Sequence, residues 1–246
     1  MIVGMRSGMR IALVLALTLA VRAAAPGELR TRNFTFHYFA IDAESIYDTA
    51  RNLERGRLTV LDSLDVHDMP RVDVTFYLDH ASMEDAARPI IGFVPAWAYG
   101  LVTSERAIHC MSPNLAEWGP YNRRMKDVVH EFVHTVTLHM NPDFANHPRW
   151  LWEAVSVYEA GQNADLSSIP YLMDRKPPSL AELNRLNDTR IYEVGYTIGD
   201  YIVKHWGIRA LRDLIRKNGD TSAVLHVTPE EFERGWQAFL LKSAGA

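Results

Sequence analysis

His130-Glu131-Phe132-Val133-His134, separated by eighteen residues from Glu153, decides how this chain is read. On an α-helix, residues four apart share a face, one turn above the other. His130 and His134 can therefore aim imidazole nitrogens at one ion, at about 2.0–2.1 Å. Glu131 lies roughly 100° around the helix from His130, near the ion but not between the ligands. A carboxylate there can take a proton from a metal-activated water. Two histidines, one carboxylate (Glu153) and an open fourth position describe a catalytic zinc site rather than a closed structural one.

The plainer alternative is a pair of histidines satisfied within an ordinary helix. Met125, Val128, Val129, Phe132, Val133 and Val136 make that helix mostly buried, and buried polar groups need partners. Glu153 sits in a second apolar segment, Trp150-Leu151-Trp152-Glu153-Ala154-Val155. A buried carboxylate without a counter-charge is costly there, and a zinc ion removes the cost.

Outward from the motif, two regimes appear. Before it, residues 34–39 and 72–78 are aromatic and β-branched and read as strands. Between them, residues 44–64 carry apolar positions at three- and four-residue intervals, a helix. A short helix over 81–87 should end before Pro89, and a hairpin is expected over 98–103 and 106–111. From Tyr121 onward the pattern is almost wholly helical: 121–140 with both histidines, a helix after Pro148 ending at Gly161, then 180–187, 191–206, 208–218 and 229–242. Ser179 with Glu182, and Thr228 with Glu231, have capping-box spacing. The expected fold is α+β: a small mixed-sheet lobe (24–115), then a mainly helical lobe (116–246), with the metal in the cleft between them.

The motif, its spacing to Glu153 and the surrounding Trp-Leu-x-Glu segment resemble the gluzincin zinc metallopeptidases. The chain is most similar to their peptidase MA-like domains, and more distantly to the alanyl-aminopeptidase and leukotriene-hydrolase group. The likeness spans most of the chain: residues 34–39, 72–78 and 108–112 look like the family's strands, and Tyr196-Thr197-Ile198-Gly199 is similar to the helix after the ligands. The resemblance implies a zincin-like fold, a Zn2+ cofactor, His130, His134 and Glu153 as ligands, Glu131 as base, and Tyr196 as a catalytic tyrosine stabilising the transition state. Three departures stand out. Ala154 follows the ligand glutamate where the family often has Gly. Val157 occupies the place of an Asp that steadies a ligand histidine in thermolysin-like members. The Gly-x-Met-x-Asn segment of aminopeptidases is missing upstream. Partners for the ligand histidines must then come from elsewhere, with Asp127, Glu159 and Asp200 as candidates.

Of 246 residues, 48% are hydrophobic and 23% charged, an ordinary globular composition. A net charge of −4 and the lack of a basic run give no sign of nucleic-acid binding. Arg6 and Arg10 precede an uncharged apolar stretch, 11–21, too short for an ordinary membrane span and suited to a signal peptide cleaved after Ala23. Cleavage removes Arg6, Arg10 and Arg22 and no acid, and leaves no stable membrane span. Cys110 is the sole cysteine, so no internal disulfide can form; an exported chain without disulfides fits a bacterial periplasmic or secreted enzyme. His109 could face the cleft, although such a histidine is more often simply packed. The sequence favours zinc-dependent hydrolysis of a peptide or protein substrate. A zinc hydrolase of a non-protein amide or ester, and a zinc-stabilised binding protein without turnover, remain open beside it.

Overall fold

The computed structural model describes residues 27–245; the expected signal peptide, 1–23, lies outside the described residues. The strands all come from the first half: β1 (Gly27–Arg30), β2 (Phe34–Tyr38), β3 (Val72–Tyr77), β4 (Gly100–Ser104) and β5 (Ala107–Met111). They form one sheet in the order β1-β2-β3-β5-β4. The inner strands β2, β3 and β5 are parallel, and β1 and β4 pair antiparallel at the two edges. Parallel neighbours need long crossovers. Helix α1 (Ile46–Leu64) supplies the first, and the second contains α2 (His80–Ile91).

Side chains alternate across the sheet, as the strand period requires. Val72, Val74 and Phe76 of β3 join Phe34, Phe36, Ile108 and Cys110 in the main core, together with Leu53 and Val60 of α1. Phe132 enters the same core, its ring meeting Phe34 edge-on at 5.3 Å between centroids. A smaller cluster forms around Met83 and Ala87 of α2, with Val94, Ala98 and Met111.

One helix boundary needs correction. Helix α2 runs through Pro89 to Ile91 instead of stopping before it. Proline removes one backbone donor, but Asp85, whose carbonyl loses that partner, is exposed and open to water. Strand β5 is internal, flanked by β3 and β4. Among the described residues, the open edge on that side belongs to β4.

The second half is helical: α3 (Tyr121–Met140), α4 (Arg149–Glu159), α5 (Pro170–Met173), α6 (Leu180–Leu183), α7 (Ile191–Trp206), α8 (Ile208–Arg216), α9 (Thr221–Leu225) and α10 (Pro229–Ser243). Both capping boxes form, Ser179 with Glu182 and Thr228 with Glu231. Helix α6 ends at Leu183, short of the expected 187. The buried Arg149 guanidinium donates to the carbonyls of Leu183, Arg185 and Asp188, which draws the chain into turns against the base of α4. Helix α7 packs closely on α4: a Cβ at Gly199 would lie 2.5 Å from Tyr158. Trp236 of α10 is buried against α7, its indole N–H donating to Thr197 Oγ1 at 3.0 Å. No helix among the described residues is long and apolar enough to cross a membrane.

Candidate metal centre

Helix α3 presents His130 and His134 on the face turned towards α4, and α4 presents Glu153 back. The two imidazole rings stand nearly perpendicular, 4.7 Å between centroids. Glu153 Oε2 lies 3.3 Å from His130 Nε2 and 3.7 Å from His134 Nε2. All three side chains are buried, and one ligand atom from each falls within 4.8 Å of the others. This cluster could hold a metal ion.

The outer nitrogens are already committed. His134 Nδ1 lies 2.9 Å from Ser156 Oγ, and His130 Nδ1 lies 2.8 Å from Gln162 Oε1. The Gln162 amide in turn donates to Asp127 Oδ1 at 2.6 Å. Where Nδ1–H donates outward, as His130 does to the Gln162 carbonyl oxygen, Nε2 is left with its lone pair towards the cluster. His134 also stacks flat on Trp152, 4.2 Å between centroids and 11° between planes. Glu153 Oε2 has no hydrogen-bond partner although it is buried, and Glu131 Oε2 is in the same condition. A buried carboxylate oxygen 3.3 and 3.7 Å from two imidazole nitrogens is an arrangement that a cation could satisfy.

The proton affinities diverge. Burial works against charge on Glu153, but the neighbouring His130 and His134 rings hold its carboxyl below the usual range. Burial would also push His130 down, yet Glu153 and Glu131 outweigh it and lift the imidazole to about 9. Burial and the charge of His130 push His134 down to about 4. Protons and a metal compete for these atoms, so metal affinity must weaken as the pH is lowered. Glu131 is raised to about 8, by burial first and then by Glu153 and Asp127, against the opposing pull of His130.

Of the residues singled out in the sequence, His130, Glu131, His134 and Glu153 come together. Tyr196 does not join them. Its ring lies against Tyr158, 5.2 Å between centroids. Tyr192 stands there instead, its ring 6.1 Å from that of His130 and 5.9 Å from that of Trp97. The Tyr192 phenol is pushed well above the ordinary value by burial and then by the Glu153 charge. One turn of α7, about 6 Å of rise, separates the two tyrosines. Asp127 reaches His130 through Gln162, whereas Glu159 bonds Ser63 and Asp200 pairs with Lys204. His109 is held between Tyr77 and Thr103. Gln162 and Ser156 were missed from sequence. Ser156 lies three residues after Glu153, one turn along α4 and beside the place where thermolysin-like members keep their Asp, and that spacing was the available signal.

The cluster opens into a cleft of about 1560 Å³ between β4 and α3, lined along α3 from Asn122 to Leu138 and along the rim by Trp97, Gly100 and Val102. No protein-family model matches the chain, and no curated protein matches it. The chemistry of the site itself is what bears on function.

Proposed function

We propose that this protein is a zinc-dependent hydrolase of peptide bonds. His130, His134 and Glu153 are the metal ligands, Glu131 is the general base, and Tyr192 stabilises the developing oxyanion. The observation that carries the reading is Glu131: a buried carboxylate beside the three ligands, with one oxygen unpartnered. A metal site serving only stability has no use for it.

Two imidazoles with one carboxylate favour zinc among the common divalent ions. Tetrahedral ligands 2.0–2.2 Å from a shared ion lie about 3.4 Å apart. The 3.3 and 3.7 Å spacings from Glu153 Oε2 agree with that figure. The ligand set and its spacing are those of the gluzincin peptidases, and a zincin-like fold with the cleft between sheet and helices belongs to the same reading, as does export by the N-terminal leader.

Bound there, zinc supplies Lewis acidity, polarising the scissile carbonyl and easing deprotonation of water. Glu131, whose proton affinity is raised by its surroundings, accepts the proton of the attacking water and returns it to the leaving amine. Tyr192 stays protonated and can donate to the oxyanion as charge develops.

Strand β4 orients the substrate. Met111 N–H donates to Tyr99 C=O at 2.8 Å across the β4–β5 ladder. Bonded and non-bonded pairs alternate in an antiparallel ladder, so Gly100, opposite Cys110, and Val102, opposite Ile108, turn their backbone groups to the open edge. An extended peptide can add there as a further strand. The cleft exceeds the roughly 300–1,000 Å³ of a small-molecule pocket. It follows α3 for about 24 Å at 1.5 Å per residue, enough for about seven extended residues.

The test is turnover of a mixed peptide library by zinc-replete protein, with products identified by mass. New termini should appear, and should vanish on chelation and in Glu131→Gln. A library left intact under those conditions counts against the reading.

A further inference from the structure

Glycine weakens a strand unless its missing side chain is needed, and a glycine in a strand often marks a close approach. Gly100 opens β4, the open-edge strand over the metal centre. Its backbone does not call for glycine, because it is absent from the positive-φ glycines. Its surroundings do. A Cβ at Gly100 would lie 2.7 Å from Glu131 Cγ, 2.8 Å from Oε1 and 2.9 Å from Cδ. Real Cβ contacts essentially never fall below 3.0 Å. The first three heavy atoms that such a methyl group would meet all belong to one side chain, the base itself.

Glu131 has little room to retreat. It is buried, one turn of helix away from the ligand His134, with Cys110 of β5 and Asp127 of α3 close enough to be felt electrostatically. The missing side chain of Gly100 is therefore the space in which the Glu131 carboxylate lies, directly beneath the strand edge that would receive a peptide.

We propose that Gly100 is a positioning residue for Glu131: by lacking a side chain it lets the base rest against β4, at the level of the substrate main chain. The catalytic consequence rests on the peptide-hydrolase reading; the steric contact does not. Gly100 acts through Glu131, so its removal should be felt only while the Glu131 side chain is present.

The experiment is a double-mutant cycle read in two ways. The variants are wild type, Gly100→Ala, Glu131→Ala and the double variant, all in full-length mature protein with zinc added. In thermal unfolding, Gly100→Ala should lower the Tm of the wild type by several degrees and leave the Tm of Glu131→Ala nearly unchanged, since alanine at 131 has no Cγ, Cδ or Oε1 to meet. In turnover, Gly100→Ala should lower kcat by about 10²-fold or more, within the range for loss of a general base. KM should change little and zinc should stay near one per chain. Adding it to Glu131→Ala should cost no more than about twofold further.

An equal Tm loss in both backgrounds would make Gly100 an ordinary strand residue and overturn the inference, as would a normal kcat in Gly100→Ala. Should the single variant fail to fold, the double variant must fold for the inference to stand. Coupled Tm values in a protein that cleaves no peptide would keep the contact and remove the hydrolase reading, so the two can fail separately.

Discussion

His134 Nδ1 and Ser156 Oγ are hydrogen-bonded at 2.9 Å, with Ser156 one turn beyond Glu153 on α4. The same helix thus supplies the carboxylate of the His130–His134–Glu153 cluster and a tether to one of its histidines. Outer partners of this kind typically contribute 10–100-fold to metal affinity. Ser156→Ala should weaken zinc binding by about that factor, with the fold intact by circular dichroism. Competition with a chromophoric chelator measures it, and an unchanged affinity would mean that Trp152 alone orients the ring.

Gln162 plays the corresponding part for His130, relayed to Asp127. Gln162→Leu should lower zinc affinity as Ser156→Ala does, and the two losses should add, because they act on different ligands. Zinc titration of the double variant checks this.

Tyr192→Phe should lower kcat by roughly 10²–10³ with zinc content unchanged, the size expected for one donor to an oxyanion. Tyr196→Phe should leave turnover close to wild type, because Tyr196 packs on Tyr158. Steady-state kinetics on any cleaved peptide distinguishes them, and the opposite ranking would move the catalytic tyrosine one turn along α7.

Glu159 gives a pH-dependent stability prediction away from the metal. Burial raises its carboxyl to about 7, against opposing help from Ser63 and Arg212. Between the unfolded value of 4.5 and about 7, the folded state holds a proton that the unfolded state has released. Stability therefore falls as pH rises through that window, and the cost is complete above it. Glu159→Gln, neutral throughout, should match the wild-type Tm near pH 4.5 and exceed it at pH 8. A Tm difference independent of pH would rule this out.

Local signals survived into the fold where they were self-sufficient. The helical period over 121–140 gives α3 with those bounds, and both capping boxes form because each needs only residues three apart. His130 and His134 were legible for the same reason, and Glu153 because a carboxylate in an apolar helix demands a partner. What depended on how elements meet was not legible. Nothing in the pattern of 107–111 says that β5 is internal and β4 the edge, since that is decided by strand order. Choosing between Tyr192 and Tyr196 requires knowing where α7 crosses α4, which Gly195 and Gly199 help set through contacts with Ala154, Val157 and Tyr158. Gln162 lies beyond the end of α4, and its distance from His130 is a property of that loop alone.

Elemental analysis of purified protein, paired with turnover of the same samples, tests the central claim most directly. Wild type and Glu131→Gln should each carry close to one zinc per chain, with turnover lost by about 10²–10⁴-fold only in the variant. Glu153→Ala should lose the metal. A folded wild-type chain with no stoichiometric transition metal, or a Glu131→Gln variant as active as wild type, would contradict the account.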